Sequence, residues 1–96
     1  MSGTHRWTYD EDRYCCEKYI ECYVISKSEL SASEFVRELS FELTEIKPTS
    51  LRMKVQNIKQ ILIEKQISDS LKISPSANYS LQNLLAMESI LKQYKI

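Results

Sequence analysis

Apolar residues recur at spacings of three and four positions in four stretches of this chain, the pattern of amphipathic helices with one face turned inward. The first stretch gathers Cys15, Cys16, Tyr19, Ile20 and Tyr23. It is predicted to begin at Thr8, because Thr8 and Glu11 form a T-x-x-E capping box and Asp10, Glu11 and Asp12 complement the positive end of the helix dipole. It runs to about Ile25, with Trp7 before the cap folding back onto the same core. A loop from Ser26 to Leu30 leads to a second capping box, Ser31 to Glu34, and a helix to about Leu43 whose inner stripe is Phe35, Val36, Leu39 and Leu43. Lys47-Pro48-Thr49-Ser50 reads as a helix breaker followed by cap residues, opening a third helix over about 49–65. Leu51, Val55, Ile58 and Leu62 line its inner side. The stretch from Ser68 to Tyr79, rich in Ser, Asn and Asp around Pro75, reads as a linker or loose connection. A last helix from Ser80 to about Tyr94 carries Leu81, Leu84, Leu85, Met87, Ile90 and Leu91 over a broad arc, which suggests burial on more than one side.

The length of 96 residues suits one domain, 1–96, divided into a core over 6–65, a connection over 66–79 and a C-terminal helix over 80–96. One Gly and two Pro leave few turn formers, which favours helices over many short strands, so the expected class is all-α. The N-terminus lacks the apolar core of a signal peptide and no run of about 18 apolar residues occurs, so an intracellular protein that neither spans nor engages a membrane is expected, cytoplasmic and nucleoid-associated if it binds DNA. Cys15, Cys16 and Cys22 crowd one helix and are expected to be reduced.

Charge changes the picture. Lysine plus arginine and aspartate plus glutamate number 13 each, so no net field steers the whole chain. Residues 1–46 nevertheless carry five basic and ten acidic side chains, whereas 47–65 carry Lys47, Arg52, Lys54, Lys59 and Lys65 against Glu64 alone. On a helical wheel Arg52, Gln56, Lys59 and Gln60 share a sector away from the apolar side. Three helices, the second and third joined by a short turn, with a basic and amide-bearing third, outline a helix-turn-helix reader. In that arrangement Arg52, Gln56 and Lys59 face the major groove, where Arg and Gln pair with guanine and adenine edges. Lys47, Lys54 and Lys65 touch phosphate, and Thr49, Ser50 and Gln60 complete the candidate DNA-binding set with them.

Trp7-Thr8-Tyr9-Asp10-Glu11-Asp12 resembles the W-T-x-E-E-D opening of Myb/SANT repeats, and Ser50-Leu51-Arg52-Met53-Lys54-Val55-Gln56-Asn57 is similar to their third helix. The resemblance spans roughly Arg6 to Leu62, with Phe35 and Val55 standing at the places of the family's later tryptophans. It implies a three-helix Myb/SANT-like core, here with an additional C-terminal helix, a third helix that reads duplex DNA, and Trp7 in the core. Ser50, Lys54 and Asn57 also resemble a pattern in the N-terminal DNA-recognition regions of bacterial and phage HNH-type nucleases. Many SANT domains bind protein, and the acidic first half of the chain fits that alternative, a protein-interaction module or small phage or bacterial adaptor without DNA binding.

Other chemistries are weaker readings. Cys15, Cys16, Cys22 and His5 lack the paired spacing of zinc ligands. Asp10, Glu11 and Asp12 point in different directions on a helix and serve the cap better than a catalytic cluster, while His5 sits at a terminus expected to fray. The tyrosines at helical spacing read as packing rather than a stacking platform. The expectation is therefore a DNA-binding regulator that is not an enzyme, with no cofactor, metal or small-molecule ligand. Whether it dimerises through the C-terminal helix is left open, as is a protein partner on the apolar arc around Leu84, Met87 and Leu91.

Overall fold

The computed structural model describes residues 5–96 and is all-helical over them. Residues 1–4, part of the stretch read as lacking a leader, lie outside the described residues. Helix α1 spans Tyr9–Tyr19, and both halves of its capping box form: the Glu11 amide donates to Thr8 Oγ1 at 3.1 Å and the Thr8 amide to Glu11 Oε1 at 3.0 Å. The helix then widens into a π-helical turn over Ile20–Ile25, where the Ser26 amide reaches back five residues to the Glu21 carbonyl. The helical stretch ends where expected but in a different hydrogen-bond register.

Helix α2, Ala32–Glu42, also begins on a complete capping box, Ser31 with Glu34. Helix α3, Pro48–Glu64, starts differently from the expectation. Its N-cap is Lys47, which supplies no side-chain cap, and Pro48 takes the first helical position, where a missing N–H costs nothing. Thr49 and Ser50 are thus not caps; they are the first turn itself. Helix α4, Leu81–Tyr94, is capped by Ser80, whose Oγ accepts from the Asn83 amide at 3.0 Å.

The inner faces meet in one cluster. Leu51, Val55, Ile58 and Leu62 are fully buried, together with Ile61, which the periodicity did not single out. Each such side chain contributes about 1.5–3 kcal/mol by leaving water. Tyr19, Tyr23 and Phe35 meet edge to face with ring centroids 5.1–6.0 Å apart, tying α1 and its π-helical extension to α2. The broad apolar arc of α4 is resolved by its neighbours: α1 makes its most extensive helix contact with α4, and Met87, Ile90 and Leu91 are buried inside the chain. Partner docking around Leu84, Met87 and Leu91 therefore loses its basis, because two of the three already face the protein's own core. A homodimer through α4 would have to use Leu81 and Leu85, the exposed apolar residues of that helix.

The connection over 68–79 is not loose. Ser70 donates from its amide to the Tyr23 carbonyl at 3.0 Å and from its hydroxyl to the Ser28 carbonyl at 2.6 Å, while the Ser76 amide bonds the Gln56 carbonyl at 3.1 Å. Leu71 is buried. Polar composition marked the absence of a helix correctly but concealed that the segment is bonded along its length to α3 and the end of α1. Among the described residues, no helix is long and apolar enough to cross a membrane.

Candidate nucleic-acid interface

The cations of the third helix do not form a single ridge. Lys54 is 4% exposed, and its Nζ lies 2.6 Å from Asp12 Oδ1 in a buried ion pair between α3 and α1. Lys59 turns to Asp69 Oδ1 at 3.0 Å and the Leu71 carbonyl at 2.9 Å. Lys65 bonds Glu88 at 3.0 Å. The expected phosphate contact of Lys54 and the groove contact of Lys59 are thus taken by the protein's own carboxylates, whereas Lys65 pairs with Glu88 at the surface, with both side chains still partly exposed. The physical reason for Lys54 is its position: three residues after Leu51 and four before Ile58, it lies within the core face, and an ammonium there requires an anion.

Other members of the set remain outside. Lys47, Thr49 and Arg52 are exposed, and neither Lys47 nor Arg52 enters an ion pair among the described residues. Gln56 and Gln60 are half-buried, and Gln60 Nε2 donates to Glu64 at 2.6 Å. The sector of Arg52, Gln56, Lys59 and Gln60 therefore keeps only Arg52 fully exposed.

What the structure brings together is the start of α3. Lys47, Thr49, Ser50 and Lys54 line an open cleft of about 760 Å³, joined on the same helix by Met53 and Asn57. His5 and Trp7 close it from the N-terminal side, and Asn78, Ser80 and Gln82 from the start of α4. No carboxylate is among these lining residues. Lys54 Nζ lies 4.5 Å from the Trp7 ring centroid, so the indole takes part in holding the cation. Gln82 Nε2 bonds both Asp12 Oδ2 at 2.8 Å and the Trp7 carbonyl at 3.0 Å, and Lys54 also reaches Asn83 Oδ1 at 3.4 Å. Asp12 was read only as a dipole partner, yet it anchors this network.

His5 does not stand free at the chain end: its Nε2 lies 2.8 Å from Glu11 Oε1, and its ring meets Trp7 edge-on at 5.2 Å. Burial alone would raise the Glu11 carboxyl, but hydrogen bonds from the Thr8 amide and His5, with the charge of His5, hold it below its ordinary 4.5. Next to the cleft, burial pushes the Cys15 thiol up to about 12 and raises Cys16 as well, the behaviour of packed rather than reactive thiols.

Asn57 is a buried polar group here without a hydrogen-bond partner among the described residues. It is 7% exposed, and its Oδ1 meets no hydrogen-bond donor among the described residues. Sequence reasoning placed Asn57 in a motif but gave it no role, and missed His5, Asn78, Ser80 and Gln82 as neighbours of the α3 start. No local signal marks them, since three chain segments must fold before they meet.

No protein-family model matches the chain, and no curated protein or solved structure is measurably similar to it.

Proposed function

We propose that this chain is a DNA-contacting helix-turn-helix module in which the start of α3, rather than its full length, meets the nucleic acid. The observation that carries the reading is the cleft at that helix start, bordered by the unpaired Lys47 and by Lys54, itself held by Asp12, with no carboxylate among its described lining residues. Anions favour the N-terminus of a helix, where backbone N–H groups lack intrahelical partners and the dipole is positive. Here Lys47 leaves the first-turn amides of Thr49 and Ser50 without a side-chain cap, and Lys47 and Arg52 stand exposed on either side. The short α2–α3 turn and the resemblance to Myb/SANT repeats support the same orientation, as does the fact that Ser50, Lys54 and Asn57 share the cleft lining. With Lys59 internal and Lys54 paired, contacts to the backbone outweigh base reading, so affinity exceeds sequence discrimination.

Fluorescence anisotropy with a labelled duplex tests this at several salt concentrations. The double substitution Lys47→Ala with Arg52→Ala is expected to weaken binding by roughly tenfold or more and to reduce the salt slope by about two. Absence of binding at low salt, or binding indifferent to both substitutions and to salt, rejects the proposal.

A further inference from the structure

We infer that the cleft seats a single nucleotide, with its phosphate at the Lys47 rim and its base against Trp7 and Asn57. The inference builds on the DNA reading of the same rim and adds what enters behind it. Two features define the phosphate end. Pro48 has no N–H, so Thr49 and Ser50 supply the amides and hydroxyls of an uncapped helix start, and Lys47 adds a cation. A bare anion satisfies that rim and leaves the interior unmet.

The interior asks for a hydrogen-bond donor. Asn57 lines the cleft at 7% exposure with Oδ1 unpartnered, and an acceptor buried in that state is costly unless something bound there donates to it. Nucleobases offer such donors, among them the amino groups of adenine and cytosine. Trp7 and Met53 provide apolar walls for a ring. The cleft, about 760 Å³, lies within the roughly 300–1,000 Å³ of ligand-binding pockets. A second concavity, of about 390 Å³, is lined by Glu21 and Glu38 beside Lys18, and those carboxylates disfavour a polyanion.

The same chemistry comes from a free nucleotide or from one turned out of a DNA strand, which enzymes and readers that act on single bases exploit. Titration of the full chain with each deoxynucleoside monophosphate, followed by isothermal calorimetry with inorganic phosphate as comparison, addresses the first source. Duplex and single-stranded oligonucleotides carrying 2-aminopurine, whose fluorescence rises on unstacking, address the second. Saturable nucleotide binding at least about tenfold tighter than phosphate, or a fluorescence rise on complex formation, supports the seat and names its source. Asn57→Leu is expected to reduce either signal about tenfold, more than it reduces phosphate binding. Asn78→Ala, at an exposed position of the lining, is expected to weaken it several-fold and serves if Asn57→Leu does not fold.

Phosphate binding as tightly as nucleotides overturns the inference. So does the absence of both signals while duplex binding remains sensitive to Lys47 and Arg52, a result that leaves the DNA proposal standing. Nucleotide binding without any duplex retention upholds the seat and removes the DNA proposal.

Discussion

Helix α3 carries two ion pairs, five residues apart on one helix, that end in opposite conditions. At the far one, Lys59 donates to Asp69 and to the Leu71 carbonyl, while Asp69 Oδ2 accepts from the Tyr19 hydroxyl at 2.6 Å and from the Leu71 amide at 3.2 Å. That network is closed upon itself. At the near one, Asp12 Oδ1 has Lys54 as its partner, the Lys54–Asn83 bond is long at 3.4 Å, and Asn57 beside them has an unmet acceptor at the edge of an open cleft. A buried pair is weak evidence of stability by itself, because desolvation offsets much of its attraction. The difference therefore lies in what surrounds each pair: one staples the connection to α1 and α3, the other has an unpartnered buried acceptor, Asn57 Oδ1, beside it in the cleft lining.

The largest test separates the two pairs by double-mutant cycles in urea. Lys54→Met alone is expected to destabilise by about 3–5 kcal/mol, since it strands Asp12, and adding Asp12→Leu should recover a good part of that loss, because Gln82 Nε2, which bonds Asp12, keeps the Trp7 carbonyl as partner. At the far pair, Lys59→Met with Asp69→Leu should recover little, because Tyr19 and both backbone groups of Leu71 lose their partners. Equal recovery at both sites would erase the contrast.

A smaller effect concerns whether the near end opens in the native state. Cys15 and Cys16 pack beside Asp12 and Lys54, with burial raising both thiols, whereas Cys22 is partly exposed. At pH 8 a thiol reagent should modify Cys22 first, with Cys15 and Cys16 slower by about 100-fold or more. Comparable rates, read by mass spectrometry, would mean that the cleft end breathes readily.

The smallest effect is the pH dependence of the α1 start, which borders the cleft through His5. The folded state holds Glu11 below its ordinary 4.5, so its stabilisation is fully present above that value and is lost as pH falls through the lower folded one. Glu11→Gln should cost about 0.5 kcal/mol near neutrality and less near pH 3. A cost unchanged between these pH values would show that the charge of Glu11 contributes nothing.

Much of the helical architecture was legible before any coordinates because its causes are local. Capping boxes at Thr8 and Ser31 act over three residues, Pro48 constrains its neighbour, and the stripe Leu51, Val55, Ile58 and Leu62 declares its face within one helix. The destinations of the charges were not local. Asp12 and Asp10 look alike in sequence, and Lys54 and Arg52 both read as basic residues on one helix, yet one of each pair is buried and the other exposed. Lys54 on the core face beside Leu51 and Ile58, and Asp12 three and four residues before Cys15 and Cys16, offered a hint of opposite charges on two inner faces. Nothing within either segment says that they meet.

By itself, then, the chain specified where helices begin, which side of each is apolar, and that its turns are few, since these follow from interactions spanning one helical turn. Only tertiary packing decided which cations stay outside, that Asp69 reaches across 50 residues to Tyr19, and that three separate segments enclose one cleft at the start of α3. Charge pairing in the interior depends on distance through space and on exclusion of water, and neither exists until the helices have docked.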